Sequence, residues 1–190
     1  MGDSGEVMAF RLPDEAGLDQ GTRDYFARCR NKIGFVPNVF RAYTVRPERF
    51  RKYQAYRNDL MRAQSGLSEA EREMIAVVVS SANRCHYCLV AHGSVLRELT
   101  GDPGLADTLA LNYRAAELSQ RHRAMLDFAW KLTVAANEIG DADRQRLAEA
   151  GFAEPDMFDI VEVAAFYNMS NRFAIGLGIR PNEQYYGMGR

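Results

Sequence analysis

The sequence predicts an all-α protein, and three observations carry that prediction. Convincing strand-type alternation of apolar and polar residues is absent along the 190 residues. Helix-start signals stand before apolar stretches, and glycine or proline follows them. Hydrophobic residues at 47% and charged residues at 26% are ordinary for a soluble globular protein. We expect one helical domain over residues 1–190, made of an N-terminal extension (1–66), a core segment (67–137), and C-terminal helices with a tail (138–190).

Two helices are predicted in the N-terminal extension. Thr22 is the expected cap of a first short helix, and Gly34 is expected to end it. The next residues, 35–38, have the composition of a turn. A second helix is expected to follow Pro47, with apolar side chains near one face.

The core segment is predicted to contain two consecutive helices. Ser68 and Glu71 have the spacing of a capping box, and they precede a strongly apolar helix. Residues 83–84 are the expected turn after this helix. A second helix is then expected over residues 85–99, with residues 100–103 closing it.

Three more helices are predicted towards the C-terminus. They are a helix over residues 118–136, a short helix capped by Asp141 that stops at Gly151, and a long helix that Pro155 opens and that runs to Gly176. The last ten residues are expected to be irregular and aromatic.

Composition excludes several classes of function. A formal net charge of -1 gives no electrostatic case for binding nucleic acid or an anionic membrane. No apolar run approaches the roughly 20 residues needed to span a bilayer. Residues 1–6 show neither the basic nor the apolar region of an export signal, so we expect a cytoplasmic protein. In that reducing compartment, the Cys-x-x-Cys pair among the three cysteines is more often catalytic or metal-binding than structural.

The chemistry is expected at Glu73, Cys85, Cys88 and His92, which follow the pattern E-x11-C-x2-C-x3-H. If the two core helices form an antiparallel hairpin, Glu73 lies about 15 Å from the turn and His92 about 12 Å, at 1.5 Å per residue. The two side chains can therefore face each other at similar height. Cys88 and His92, at i and i+4, share one helical face.

This arrangement suits a redox-active dithiol. A helix N-terminus favours a thiolate, and an imidazole in reach can accept the thiol proton. A carboxylate behind the imidazole fixes its tautomer and supports its charged form. We therefore predict Cys88 as the attacking sulfur, Cys85 as the resolving sulfur, His92 as the base and Glu73 as the proton relay.

Other interpretations of these residues remain open. The four side chains could bind zinc, although zinc sites usually have a second Cys/His pair and a loop between ligands. His92 could be a core histidine with its hydrogen bonds satisfied. His86 is a possible auxiliary that raises local positive charge, and Tyr87 could donate a hydrogen bond or only pack. The third thiol, Cys29, is expected to be buried and inert.

The same four residues, Glu73, Cys85, Cys88 and His92, resemble the pattern of the alkylhydroperoxidase D-like proteins, within the carboxymuconolactone decarboxylase superfamily. The likeness is greatest to the peroxidase-related branch, and it spans nearly the whole chain. Residues 34–38, 83–88 and 188–190 are also similar to that branch.

The resemblance implies a helical homo-oligomer that reduces organic hydroperoxides without a cofactor. In that family the second cysteine is oxidised, the first resolves it, and Glu and His relay protons; these roles fall on Cys88, Cys85, Glu73 and His92. The family also suggests a thiol reductant or a lipoylated carrier protein as electron donor. One departure is Tyr87, because the best-known members have histidine immediately before the second cysteine. The nearest histidine here, His86, is one position earlier.

Two alternative functions stay beside the peroxidase. The first is a thiol–disulfide redox sensor or exchange module that does not turn over peroxide. The second is a carboxymuconolactone decarboxylase-like enzyme, in which the dithiol would have no part.

Overall fold

The computed structural model describes residues 6–190; the predictions that depend on residues 1–5 lie outside it. Within the described part, ten α-helices and three short 3₁₀ helices occur and no strand, which confirms the all-α prediction. The helices are α1 (Gln20–Ile33), α2 (Asn38–Tyr43), α3 (Pro47–Arg62), α4 (Glu69–Ala82), α5 (His86–Thr100), α6 (Pro103–Asn112), α7 (Gln120–Val134), α8 (Asp141–Glu149), α9 (Glu154–Leu177) and α10 (Gln184–Gly187). The 3₁₀ helices are Glu15–Gly17, Tyr113–Ala115 and Ala136–Glu138.

The start of α1 differs from the prediction. Asp19, not Thr22, is the N-cap, and its carboxylate accepts hydrogen bonds from the Thr22 backbone N–H (3.1 Å) and hydroxyl (2.8 Å). Both residue types cap helices well, so the sequence alone left the register of the first turn open. Gly34 ends the helix as predicted, with φ at 86° in the left-handed region.

The predicted turn at residues 35–38 ends one residue early, because Asn38 already begins α2. A distant residue holds this helix in place. The Asn38 backbone N–H donates to Asn182 Oδ1 at 2.8 Å, and the Asn182 amide donates to the Val36 carbonyl at 3.0 Å. The C-terminal segment thereby anchors the start of α2.

The capping box that opens α4 is confirmed. Ser68 Oγ accepts from the Glu71 backbone N–H at 3.1 Å, and Glu71 Oε2 accepts from the Ser68 backbone N–H at 2.8 Å. Glu71 also accepts from Arg121 Nε at 3.0 Å, which links the start of α4 to α7. The cap therefore fixes a tertiary contact as well as the helix start.

Helix α6 and the cap of α8 depart from the predictions. Proline at position 103 is the first residue of α6, and Asp102 caps that helix by accepting from the Leu105 backbone N–H at 2.9 Å. Asp141 is the first residue of α8 rather than its cap. The carboxylate that satisfies the start of α8 belongs to Asp143, which accepts from the Gly140 backbone N–H at 2.9 Å.

The buried apolar side chains form two clusters. The larger one packs α4 against α6, α7 and α9, and Ile75, Leu109 and Met125 are fully buried within it. The smaller cluster joins α1, α2 and α3 to the start of α5 and to the C-terminal tail. Cys85 and Cys88 belong to the smaller cluster. The dithiol therefore lies where the N-terminal helices cover the core.

The C-terminal tail is fastened to α5. Buried Arg97 donates from Nε to the Met188 carbonyl and from its terminal nitrogen to the Tyr185 carbonyl, both at 2.8 Å. Gly189 has φ at 68°, and a Cβ built there would stand 2.7 Å from Arg97 Cβ and 3.0 Å from the Glu98 backbone nitrogen. The tail can pass this point only because position 189 has no side chain.

Among the described residues, no helix has the length and apolar character that crossing a membrane requires.

Replacing Ser68 by Ala should lower the free energy of unfolding by about 1 kcal/mol, because it removes the cap of α4. Chemical denaturation followed by circular dichroism measures this change. Glu69→Gln is the matched control, since it changes the same turn without touching the cap, and it should stay within about 0.5 kcal/mol of the parent. Equal stability of Ser68→Ala and the parent would contradict the assigned cap.

Replacing Gly189 by Ala should loosen the tail, because the left-handed backbone alone costs a side-chain-bearing residue about 1–2 kcal/mol and the added Cβ meets α5. Faster hydrogen exchange at the backbone amides of residues 183–190 is the expected result. Gly187→Ala is the control, since a Cβ at that position has no neighbour within 4 Å. Unchanged exchange in the Gly189 variant would show that the tail is not held as described.

Candidate active site

The site is built around the short connection between α4 and α5. Arg84 takes a positive φ of 54°, which turns the chain sharply after Asn83. The Cys85 backbone N–H then donates to the Ser80 carbonyl at 2.9 Å. Cys85 is the N-cap residue of α5, and its carbonyl accepts from the Leu89 backbone N–H at 2.9 Å. Cys85 thus lies at the N-terminus of α5, and Cys88 lies within the first turn of that helix.

A polar network from α9 supports this connection. The Asn83 side-chain amide donates to Asn168 Oδ1 at 3.0 Å and to Asn171 Oδ1 at 2.9 Å. Fully buried Asn171 in turn donates to Ser80 Oγ at 3.0 Å. Its backbone carbonyl lies 3.8 Å from the Cys85 sulfur, which donates to it. The asparagines of the long helix therefore fix the position of the first cysteine.

Glu73 and His92 meet as the helical spacing predicts. His92 Nδ1 lies 2.6 Å from Glu73 Oε2, and both side chains are buried. The carboxylate oxygen accepts from Nδ1–H, so Nε2 is the nitrogen that is free to take a proton. The contact supports the predicted hairpin of α4 and α5. The Tyr167 ring stands edge-on to the imidazole at 4.5 Å and restricts its orientation.

The two sulfurs have opposite tendencies to ionise. A hydrogen bond from the Cys88 side chain lowers the pKa of Cys85, and the backbone N–H groups of Cys88 and Tyr87 lower it further against the effect of burial. The same hydrogen bond, together with burial, raises the pKa of Cys88 well above the usual thiol value. The first negative charge of the reduced pair therefore forms on Cys85, at the helix N-terminus.

A cavity of about 450 Å³ opens in front of the second cysteine. Cys88 and His92 both line it, whereas Cys85 does not. The other lining residues come from the N-terminal helices, α5, α9 and the tail, and are mainly aromatic or apolar. They include Tyr25, Ile33, Val39, Phe40, Tyr53, Tyr87, Ala91, Val95, Tyr185 and Met188. A molecule in this cavity would reach Cys88 and the imidazole together.

The two predicted auxiliary residues have different surroundings. His86 is exposed, and its Nε2 lies 2.9 Å from the Tyr186 hydroxyl, away from the buried imidazole of His92. Tyr87 is buried, and its hydroxyl accepts from the Val39 backbone N–H at 3.1 Å. Tyr87 thus both packs and forms a hydrogen bond, and it joins α5 to α2.

Several residues that line the cavity or pack on His92 were not predicted from the sequence. Arg57 of α3 brings a half-buried guanidinium to the cavity, with its Cζ 5.9 Å from the centre of the Phe40 ring. The Tyr167 hydroxyl is buried, and it has no hydrogen-bond partner among the described residues. Cys29, expected to be buried, is half-buried and lines the same cavity, and burial raises the pKa of its thiol. No motif marks these positions, because only the packing of distant helices brings them to the site.

A metal site was one of the open interpretations of the cysteines. Within residues 6–190, no group of three or more His, Cys, Asp and Glu side chains is arranged so that it could hold a metal ion. The pair formed by Glu73 and His92 is hydrogen-bonded within the protein instead.

Comparison with known proteins finds a family whose sequence model covers this site. The sequence model of the carboxymuconolactone decarboxylase family matches residues 47–129, which include all four predicted site residues. No curated protein matches the chain.

Solved structures extend the likeness over the whole chain. An uncharacterised peroxidase-related protein from Silicibacter sp. TM1040 is 48% identical, with 100% of both chains covered and a TM-score of 0.95. The alkylhydroperoxidase AhpD core of a peroxidase-related protein from Ralstonia eutropha JMP134 is 43% identical, with 98% of both chains covered and a TM-score of 0.95. The debrominase Bmp8, at 15% identity and a TM-score of 0.79 over 96% of this chain and 95% of its own, shares the fold. The chain therefore belongs to the carboxymuconolactone decarboxylase family, among its alkylhydroperoxidase-like, peroxidase-related proteins.

Proposed function

We propose that this protein is a thiol peroxidase that reduces organic hydroperoxides through a Cys85–Cys88 dithiol/disulfide cycle. One observation carries the proposal: Cys88 and His92 line the same cavity, and a hydrogen bond from His92 Nδ1 to Glu73 fixes the orientation of the imidazole. The peroxidase-related names of two solved structures, 48% and 43% identical to this chain, support the same class of reaction.

The proposed cycle begins with the proton that the reduced pair shares. Cys88 donates its S–H to the Cys85 sulfur, so the first proton that the pair loses leaves the negative charge on Cys85. Of the two cysteines in the Cys-x-x-Cys pair, Cys88 lines the cavity and Cys85 does not, so Cys88 is the sulfur of the pair that an entering hydroperoxide would meet. The Cys88 proton passes to His92 Nε2, and Glu73 stabilises the imidazolium that results.

The Cys88 thiolate then attacks the terminal oxygen of the hydroperoxide. An S–O bond forms, the O–O bond breaks, and the alkoxide takes a proton from His92 and leaves as the alcohol. Cys88 is now a sulfenic acid. The Cys85 thiolate attacks that sulfur, the S–S bond forms, and hydroxide leaves and is protonated to water. The two thiols thereby supply the two electrons that reduce the peroxide.

The disulfide must be reopened by an external two-electron donor. A dithiol can do this by exchange at the Cys88 sulfur, which is the sulfur of the disulfide that lines the cavity. By family resemblance, a thiol reductant or a lipoylated carrier protein fills this role, and no cofactor is needed.

We also propose that the protein assembles as a homo-oligomer. Phe158, Val161 and Met169 lie on one face of α9, and their exposures are 67%, 40% and 44%. Large apolar side chains exposed on the same face of a helix are a feature of subunit interfaces.

Cys88→Ser should abolish hydroperoxide consumption in the presence of a dithiol, because the serine hydroxyl cannot take oxygen from the peroxide. Steady-state disappearance of cumene hydroperoxide measures the activity. Cys29→Ser is the control and should retain turnover, since Cys29 has no part in the cycle.

Turnover by the Cys88 variant at the parent rate would contradict the peroxidase proposal. A parent protein that forms the disulfide and changes its assembly without turnover would instead favour a redox sensor. Decarboxylation of carboxymuconolactone by a variant without either cysteine of the pair would favour the decarboxylase.

The pH dependence of the thiols follows from the charge distribution. In the Cys29→Ser background, one thiol should ionise below the value of about 8.5 that is usual for a free thiol, because the pKa of Cys85 is lowered. Ultraviolet thiolate absorbance against pH should therefore show one step below this value and one well above it. In Cys88→Ala the donated S–H is lost and no other donor replaces it, so the lower step should move upward. Two thiols that titrate together near the free value would contradict the shared proton.

A further inference from the structure

The cavity in front of Cys88 has mainly apolar and aromatic walls, but its charged lining residues are mostly positive. Its lining includes Arg28, Lys32, Arg57 and Arg62 and only one carboxylate, that of Glu98. The excess of positive charge belongs to this cavity and not to the protein, whose formal net charge is -1. The overall charge of the protein therefore does not account for the four cations around this cavity.

Three of the four cations are exposed at the rim, whereas Arg57 is half-buried. Within the described residues Arg57 forms no ion pair, and its one hydrogen bond is a long one, 3.5 Å to Asn58 Oδ1 of the next residue. A guanidinium carries five N–H donors in a fork that fits a carboxylate. Most of the hydrogen-bonding capacity of Arg57 is therefore free at the wall of the cavity.

The charge of Arg57 is retained in spite of its partial burial. Burial opposes the charge, but the neighbouring side chains of Tyr167, Tyr53 and Glu73 outweigh it, so the pKa of Arg57 lies above its usual value. Glu73 is already hydrogen-bonded to His92 and does not form an ion pair with Arg57. A partly desolvated cation without an ionic partner is a strong site for an anion.

The remaining walls define the rest of the ligand. Tyr25, Phe40, Tyr53 and Tyr185 give aromatic surface to the same cavity that Arg57 and Cys88 line. A cavity of about 450 Å³ is within the usual size of sites for small organic molecules. The favoured ligand is thus an organic body of moderate size with an anionic group at one end.

We propose that the substrate of this site is a hydroperoxide that carries a carboxylate, with the carboxylate held by Arg57 and the hydroperoxide group directed at Cys88. This inference rests on the proposed peroxidase function and specifies its substrate class. The rim residues Arg28, Lys32 and Arg62 would attract the anion, and Arg57 would pair with it inside the cavity.

A matched pair of substrates tests the proposal. The two compounds are cumene hydroperoxide with a carboxylate in the para position and the methyl ester of the same compound. The parent enzyme should show a kcat/KM for the acid roughly tenfold or more above that for the ester. In Arg57→Gln this ratio should fall close to one, and Arg57→Lys should restore part of it. Arg49→Gln removes an exposed charge of α3 outside the cavity, so the acid-to-ester ratio should stay at the parent value.

A second measurement reads the same site without peroxide chemistry. Iodoacetate and iodoacetamide alkylate thiols and differ mainly in charge. Both proteins carry Cys29→Ser, and alkylation of Cys88 is measured by peptide mass. The rate with iodoacetate divided by the rate with iodoacetamide should be higher when residue 57 is arginine than in Arg57→Gln. Circular dichroism of each variant shows that the helices are intact.

The outcomes separate this inference from the function on which it rests. Turnover of acid and ester at equal rates would leave the peroxidase standing and overturn the carboxylate site. An equal loss for both substrates in Arg57→Gln would also overturn it, because the guanidinium would then act on the reacting oxygens. If neither compound is turned over but iodoacetate is favoured through Arg57, the anion site stands and the peroxidase proposal fails.

Discussion

The hydrogen bond between Glu73 and His92 is the interaction on which the rest of the site depends. It joins two buried, titratable side chains from consecutive helices at 2.6 Å. Burial of such groups is costly unless each has a partner, and removal of one partner leaves the other without compensation. The pair therefore holds α4 and α5 in register. It also fixes which imidazole nitrogen can receive a proton, and this links the stability of the hairpin to its proposed chemistry.

The N-terminal helices and the C-terminal tail enclose the reactive side chains in a cavity that can select a ligand. Without α1, α2 and α3, the dithiol would face solvent, since these helices supply most of the cavity wall. The tail adds Tyr185 and Met188, and Arg97 fastens it to α5. One helix thus carries the two sulfurs and the imidazole and also anchors the segment that closes the cavity. The reactive group and its selectivity are set by parts of the chain that are far apart in sequence.

Features set by residues close in sequence could be predicted, whereas features set by the packing of distant helices could not. Glu73 and His92 could be paired from helical rise once consecutive helices were assumed to form a hairpin, and the Ser68 capping box could be predicted from its spacing, because both features lie within one short segment of the chain. Helix α6 was missed because Gly101 and Pro103 were taken together as a terminator, although proline also suits a first helical turn. Arg57 was missed because its importance comes from tertiary packing, which no periodicity records. The preference for a first charge on Cys85 also needed the structure, since it depends on the hydrogen bond from Cys88.

The most direct test of the central claim is to follow the products of one oxidation. Reduced protein is mixed with one equivalent of an organic hydroperoxide, free thiols and alcohol are counted, and the disulfide is located by peptide mass. The proposed dithiol cycle predicts one alcohol for every two thiols lost, a disulfide between Cys85 and Cys88, a free Cys29, and slower oxidation in Glu73→Gln. A disulfide that includes Cys29, alcohol formed without loss of thiols, or an unchanged rate in the Glu73 variant would contradict it.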